Sequence, residues 1–266
     1  VGDPHLTLAH GGKADFRGRN GTLYNLVSSR NFSFAVLTSD ADFYLGKVFV
    51  HGSFMTEGHF AMRTATGRLF NVSYWSGGLN QWGWGWRAVT GFCSRPGHAV
   101  PFTLGPHSSR VCDELSVETD MSTLKVRAAE WDVQLRGMPV YRRVRGPSHR
   151  IDVKIKQKVG DAAFAAQPHG IIGQSFDGNS TARRGKLDVY PSRSLAAEFT
   201  TTAWAEGAIE GVADEYAVGT RYATDFKYSR FDARRRPTAA AGDDTLGEAA
   251  LFHDEDGADM PPVAAA

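Results

Sequence analysis

Trp131-Asp132-Val133-Gln134-Leu135-Arg136 alternates apolar and polar side chains without a break, and Ile151-Asp152-Val153-Lys154-Ile155-Lys156 repeats the pattern farther along. Successive residues of a strand point to opposite faces, so each stretch has one dry face and one wet face. The same period dominates the first two-thirds of the sequence. Turn formers such as Asn20-Gly21, Gly77-Gly78 and Gly146-Pro147 punctuate it. The predicted fold is all-β: an antiparallel sandwich or irregular barrel of short strands, with no parallel βαβ unit. Helix is expected only in short pieces near 161–167, 205–216 and 244–252, where Ala and Glu collect. The β domain is placed at 1–232. From Ala233 the composition shifts, through Arg234-Arg235-Arg236-Pro237 into Ala, Gly and acidic residues, and 233–266 reads as a linker or extended C-terminal tail.

The 266 residues, 42% hydrophobic and 22% charged, suffice for a sizeable core. Thirty Lys and Arg against 29 Asp and Glu leave a net charge of +1, too little field over the whole molecule to expect a nucleic-acid partner. No run approaches the roughly 18 apolar residues of a membrane helix, so no membrane insertion is expected. The sequence opens on Val1 without an apolar leader, as expected of a processed or excised piece.

Cys93 and Cys112 flank a stretch rich in turn formers that reads as a loop. They are either a disulfide closing about 20 residues, worth about 3 kcal/mol, or two buried thiols. Asn20-Gly-Thr, Asn31-Phe-Ser, Asn71-Val-Ser and Asn179-Ser-Thr fit the N-glycosylation pattern. On a strand Asn71 lies opposite Phe70, Val72 and Tyr74, and Asn31 and Ser33 lie opposite Phe32 and Phe34, so both asparagines are expected to face solvent. Together these features predict a secreted or cell-surface glycoprotein.

The order of motifs is similar to that of a von Willebrand factor type D domain. Gly2-Asp3-Pro4-His5 precedes an expected strand, Asp15-Phe16-Arg17-Gly18 and Thr22-Leu23-Tyr24-Asn25-Leu26 follow, and Trp131–Leu135 resembles that family's central strand. His169-Gly170-Ile171-Ile172-Gly173-Gln174-Ser175-Phe176-Asp177-Gly178 resembles its closing signature. The likeness is strongest to the variants in the C-terminal domain of inter-alpha-trypsin inhibitor heavy chains and in the plant root-cap type of secreted protein. It spans about 1–192. Two departures stand out: there are only two cysteines, and Ser175 is an extra residue in the closing motif.

The resemblance implies a calcium ion held by Asp3, Gln174, Asp177, Asn179 and Asp188, in keeping with the oxygen donors that calcium takes. Asn179 would be a ligand or a glycan site, not both. The plainer reading is that Asp3 and Asp177 cap turns. The resemblance also implies possible self-cleavage at Asp3–Pro4, with His5 or His169 as proton donor. Other catalysis finds no support: Ser175 is not in a G-x-S-x-G elbow, and no HExxH or phosphate-cradling glycine loop is present.

Gln81-Trp82-Gly83-Trp84-Gly85-Trp86 is the most unusual local stretch. On a strand Trp82, Trp84 and Trp86 share one face, either filling the core or forming a platform for sugar rings. The functional expectation is a structural or adhesive module of an extracellular matrix, wall or surface assembly, calcium-stabilised, whose partners are other extracellular or surface proteins or glycans. The rivals are a carbohydrate-binding module using the three tryptophans and a self-cleaving domain.

Overall fold

The computed structural model of the protein describes residues 4–77, 89–95, 98–160, 163–164, 166–233 and 248–251. Strands make up 51% and helical turns 5% of the structure, and neither sheet closes into a barrel, so the alternation resolves as an all-β sandwich. One sheet has eight strands, in the order Lys13–Asp15 (β2), His5–Thr7 (β1), Glu248–Leu251 (β17), His149–Gln157 (β14), Trp131–Pro139 (β12), Thr123–Arg127 (β11), Leu115–Thr119 (β10) and Ser109–Cys112 (β9). The other runs Ala217–Val218 (β16), Thr22–Ser29 (β3), Phe32–Leu45 (β4), Val48–Arg63 (β5), Leu69–Trp75 (β6), Val89–Arg95 (β7) and His98–Leu104 (β8). Arg143–Arg145 (β13) pairs with β4, and Ala197–Thr200 (β15) pairs in parallel with β5.

Trp131, Val133 and Leu135 from one sheet meet Phe32, Phe34 and Phe60 from the other in a single core. The Trp131 indole stacks on Phe164, meets Phe176 edge-on, and donates its N–H to Ser29 Oγ across the sandwich at 2.9 Å. A buried indole needs such an acceptor, because an unpaired N–H in the core costs more than the bond contributes.

The hairpin β4–β5, with strands of 14 and 16 residues, extends past β3 and β6. Its overhang is flanked by β13 and β15 and carries its own core of Ala41, Phe43, Leu45, Val48, Val50 and Phe54. At another end, Cys93 of β7 and Cys112 of β9 form the disulfide, joining the two sheets. Beside it Asp113 accepts from Arg68 at 2.5 Å and from Thr66 at 2.6 Å.

Four expectations are corrected. The segment between the cysteines is not a loop, since it forms β8 and most of β9. β8 is an edge strand, the one place in a sheet where Pro101 is tolerated. The helix expected over 205–216 shrinks to a 3-10 turn at Ala213–Tyr216, because Ala205, Gly207 and Gly211 all take positive φ. Of the stretch 244–252, the described residues Glu248–Leu251 form not a helix but β17. Its backbone pairs with both β1 and β14, and completing two sheet edges outweighs helix propensity. The expectation at 161–167 falls partly outside the described residues, and Trp82, Trp84 and Trp86 lie wholly outside them.

The fourth correction concerns Asn71, which is buried at 6% exposure with Oδ1 unpartnered. Its face of β6, shared with Ser73 and Trp75, is roofed by a later segment. The Tyr222 hydroxyl bonds Ser73 Oγ at 2.7 Å, and Arg221 lies over the Trp75 ring. Ser33 is likewise buried, accepting from Asn25 Nδ2 at 2.9 Å.

Candidate functional site

The segment that follows the N-terminal motif meets the closing stretch His169–Gly178. After His5 begins β1, the backbone turns at Ala9–Gly11, where the Ala9 N–H donates to Ser175 Oγ at 3.0 Å. Ser175 in turn donates to the Ile172 carbonyl at 2.7 Å. His169–Ile172 runs along β3, exchanging two backbone bonds with Ser28 at 2.7 and 2.8 Å. Gly170 is required here: its φ is +104°, and a Cβ would lie 2.6 Å from the Leu26 carbonyl oxygen. Ile171, Ile172 and Phe176 are buried.

His5 Nδ1 lies 2.6 Å from Oδ1 of the buried Asp15, whose Oδ2 accepts the Asp188 N–H at 2.8 Å. His169 is enclosed differently. Its ring stacks at 4.5 Å on Tyr228, Nδ1 accepts the Gly170 N–H, and Nε2 faces Glu210 at 3.2 Å. Burial pushes this imidazole below its ordinary range.

The residues implied for calcium are occupied by protein donors. Gln174 donates to the Gly170 carbonyl and the Tyr216 hydroxyl, and its Oε1 accepts the Glu210 N–H at 2.8 Å. Asp177 caps the Asn179 N–H and pairs with Arg183 at 2.7 Å, so a guanidinium already supplies its positive partner. Asp188 caps the Thr202 and Ala203 N–H groups. Asn179 accepts from the Thr181 N–H. Asp3 lies outside the described residues. Among the described residues no group of three or more His, Cys, Asp or Glu is placed to hold a metal ion.

Two polar clusters escaped the sequence reading. Beneath the roof over β5 and β6, Ser73 Oγ, His59 and Glu57 stand in series. His59 Nδ1 is 2.8 Å from Ser73, and Nε2 is 3.1 Å from Glu57 but out of hydrogen-bond alignment. The order is that of a nucleophile, base and acid. However, His59 and Ser73 are 0% and 1% exposed, and the Tyr222 hydroxyl already sits on Ser73, so no acyl group reaches it. This is a closed polar layer in which burial pushes His59 below its ordinary range.

On the hairpin overhang, His51 bridges Asp42 and Glu198 at 2.8 Å each, and Asp42 also takes Arg145 at 2.6 Å. The bond to Asp42, then that to Glu198, holds His51 above its ordinary range. Asp42 and His51 face each other across the β4–β5 hairpin, and Arg145 of β13 and Glu198 of β15 join them by pairing of distant segments.

Asn20 and Asn179 are exposed, and Asn31 is half-buried in the β3–β4 turn. No helix among the described residues is long and apolar enough to cross a membrane. Compared with known proteins, the sequence and structure match no family model, no curated protein and no solved structure, so the functional reading rests on the protein's own residues.

Proposed function

We propose that the protein is a structural or adhesive module of an extracellular matrix, wall or surface assembly. The observation that carries this reading is the disulfide between Cys93 and Cys112, which ties one sheet of the sandwich to the other. Such a bond persists in oxidising compartments, where a β-sandwich serves as a spacer or contact surface. The exposed sequons at Asn20 and Asn179 agree with that setting. Expression through a secretory pathway, followed by peptide-N-glycosidase and mass mapping, tests it. Glycan is expected at Asn20 or Asn179 and none at the buried Asn71; a secreted product glycosylated at Asn71 alone, or at none of these, contradicts the reading.

Self-cleavage is a second reading, favoured by the pairing of His5, which follows Asp3-Pro4 in the sequence, with Asp15. The Asp3 carboxylate would attack its own backbone carbonyl, the C–N bond to Pro4 would break with the proline nitrogen taking a proton from an imidazolium, and water would open the resulting cyclic anhydride. Incubation from pH 4 to 8 should release a fragment beginning at Pro4, at a rate lowered by His5→Gln. An intact bond throughout removes this reading.

A further inference from the structure

We propose that the projecting end of the β4–β5 hairpin binds an extended sulfated polysaccharide through Arg142, Arg143 and Lys47. The net charge of +1 conceals an uneven distribution. Tyr141-Arg142-Arg143-Val144-Arg145-Gly146 is exposed along its whole length, with Tyr141 71% and Val144 57% accessible. β13 fixes this run against β4, where Arg143 pairs with Phe43 and the Tyr44 N–H donates to the Arg142 carbonyl at 3.1 Å.

Lys47 lies in the adjoining β4–β5 turn, its N–H bonded to the Arg193 carbonyl at 2.8 Å, and both side chains are exposed. Five cationic side chains therefore line one end of the molecule. Among the described residues, Asp42 is held by Arg145 and His51, Glu198 by His51, and Asp40 acts on Arg145. The Arg142 guanidinium lies over the Tyr44 ring at 5.8 Å, and Tyr141 adds an exposed aromatic ring.

Guanidinium forks match the tetrahedral oxyanion of a sulfate better than an ammonium does, and several exposed cations at one end of the molecule suit anions repeated along a polymer. Tyrosine faces beside them suit sugar rings. The choice of a sugar rather than a nucleic-acid backbone rests on the extracellular reading. The overall charge does not argue against this site, because screening confines such contacts to about 8–10 Å.

The test measures affinity of the full-length protein for dextran sulfate, unsulfated dextran and single-stranded DNA across a salt series. The variants are R142S/R143S and, on the far strand β11, the charge-matched control K125S/R127S. Arg145 is left intact because it neutralises Asp42. Expected are binding to dextran sulfate, none to dextran, and weaker binding to DNA. R142S/R143S should weaken dextran sulfate binding about tenfold or more and flatten the salt slope by about 1.4, for two contacts of about 0.7 each, with an unchanged melting profile. The control should stay within twofold. Absence of binding at low salt, equal loss in the control, or no loss in R142S/R143S overturns the proposal. DNA binding as tight as dextran sulfate overturns the choice of a sulfated sugar. None of these outcomes depends on whether Asn20 or Asn179 carries glycan, so the site and the extracellular reading fail separately.

Discussion

The Ser175 hydroxyl accepts the Ala9 N–H at 3.0 Å and donates to the Ile172 carbonyl at 2.7 Å, joining residues 166 apart in sequence. Ser175 is therefore a buried pin between the turn after β1 and the His169–Gly178 stretch. Ser175→Ala leaves an N–H and a carbonyl without that partner and is expected to cost about 1–3 kcal/mol in urea unfolding. A change within about 0.5 kcal/mol, the range of neutral surface substitutions, would show that the pin contributes nothing.

Trp131 and Ser29 offer a cleaner measure of cross-sheet contact, because one hydrogen bond at 2.9 Å links them. A double-mutant cycle with Trp131→Phe and Ser29→Ala should return a coupling of about 1 kcal/mol, beyond the packing loss of the aromatic change alone. Strict additivity would place the indole N–H elsewhere.

Much of this is legible in the sequence and some is not. The dry faces of β12 and β14 follow from their alternation, and Trp131, Val133, Leu135, Ile151, Val153 and Ile155 are all buried. Asn71 misleads because alternation separates two faces without saying what covers the second; Tyr222, which meets Ser73 from 149 residues away, does so. β8 hides behind Pro101 and its neighbouring glycines, which signal turns unless the strand is an edge. The contact of Ala9 with Ser175 has no signal in the sequence, since nothing there singles out either residue for it. Nor has the engagement of Asp177 with Arg183, since it depends on how the loop after Gly178 folds back. In the His51 cluster Asp42 and His51 face each other across one hairpin, but Arg145 and Glu198 come from strands about 100 and 150 residues away, and that part leaves no local signal.

Stability should have its maximum near pH 6.5, because buried and bridged histidines act in opposite directions. His59 and His169 have folded pKa values pushed below the unfolded 6.5 by burial. Below pH 6.5 the unfolded state therefore binds protons the folded state refuses, and stability falls. His51 is raised above 6.5 by Asp42 and Glu198, so its contribution is complete below pH 6.5 and is lost as pH rises through its folded value. Melting curves from pH 5 to 8 should show both limbs, with His51→Gln flattening the alkaline one and His169→Gln the acid one. A monotonic profile in the parent, or variants that leave both limbs unchanged, would contradict this assignment.

The tie between the sheets should be a large single contribution. Replacing Cys93 and Cys112 together by Ala is expected to lower unfolding free energy by about 3 kcal/mol. Arg68, Thr66 and Asp113 remain to hold the same corner, so the variant should still fold. A loss below about 1 kcal/mol would mean that the corner is already fixed without the bond.

The central claim, a sandwich closed by a disulfide in an oxidising compartment, is tested most directly by differential alkylation and mass mapping of the protein recovered from its native source without reductant. The account predicts one linked peptide pair containing Cys93 and Cys112, with neither thiol labelled before reduction. Recovery of both cysteines as alkylated free thiols would contradict it.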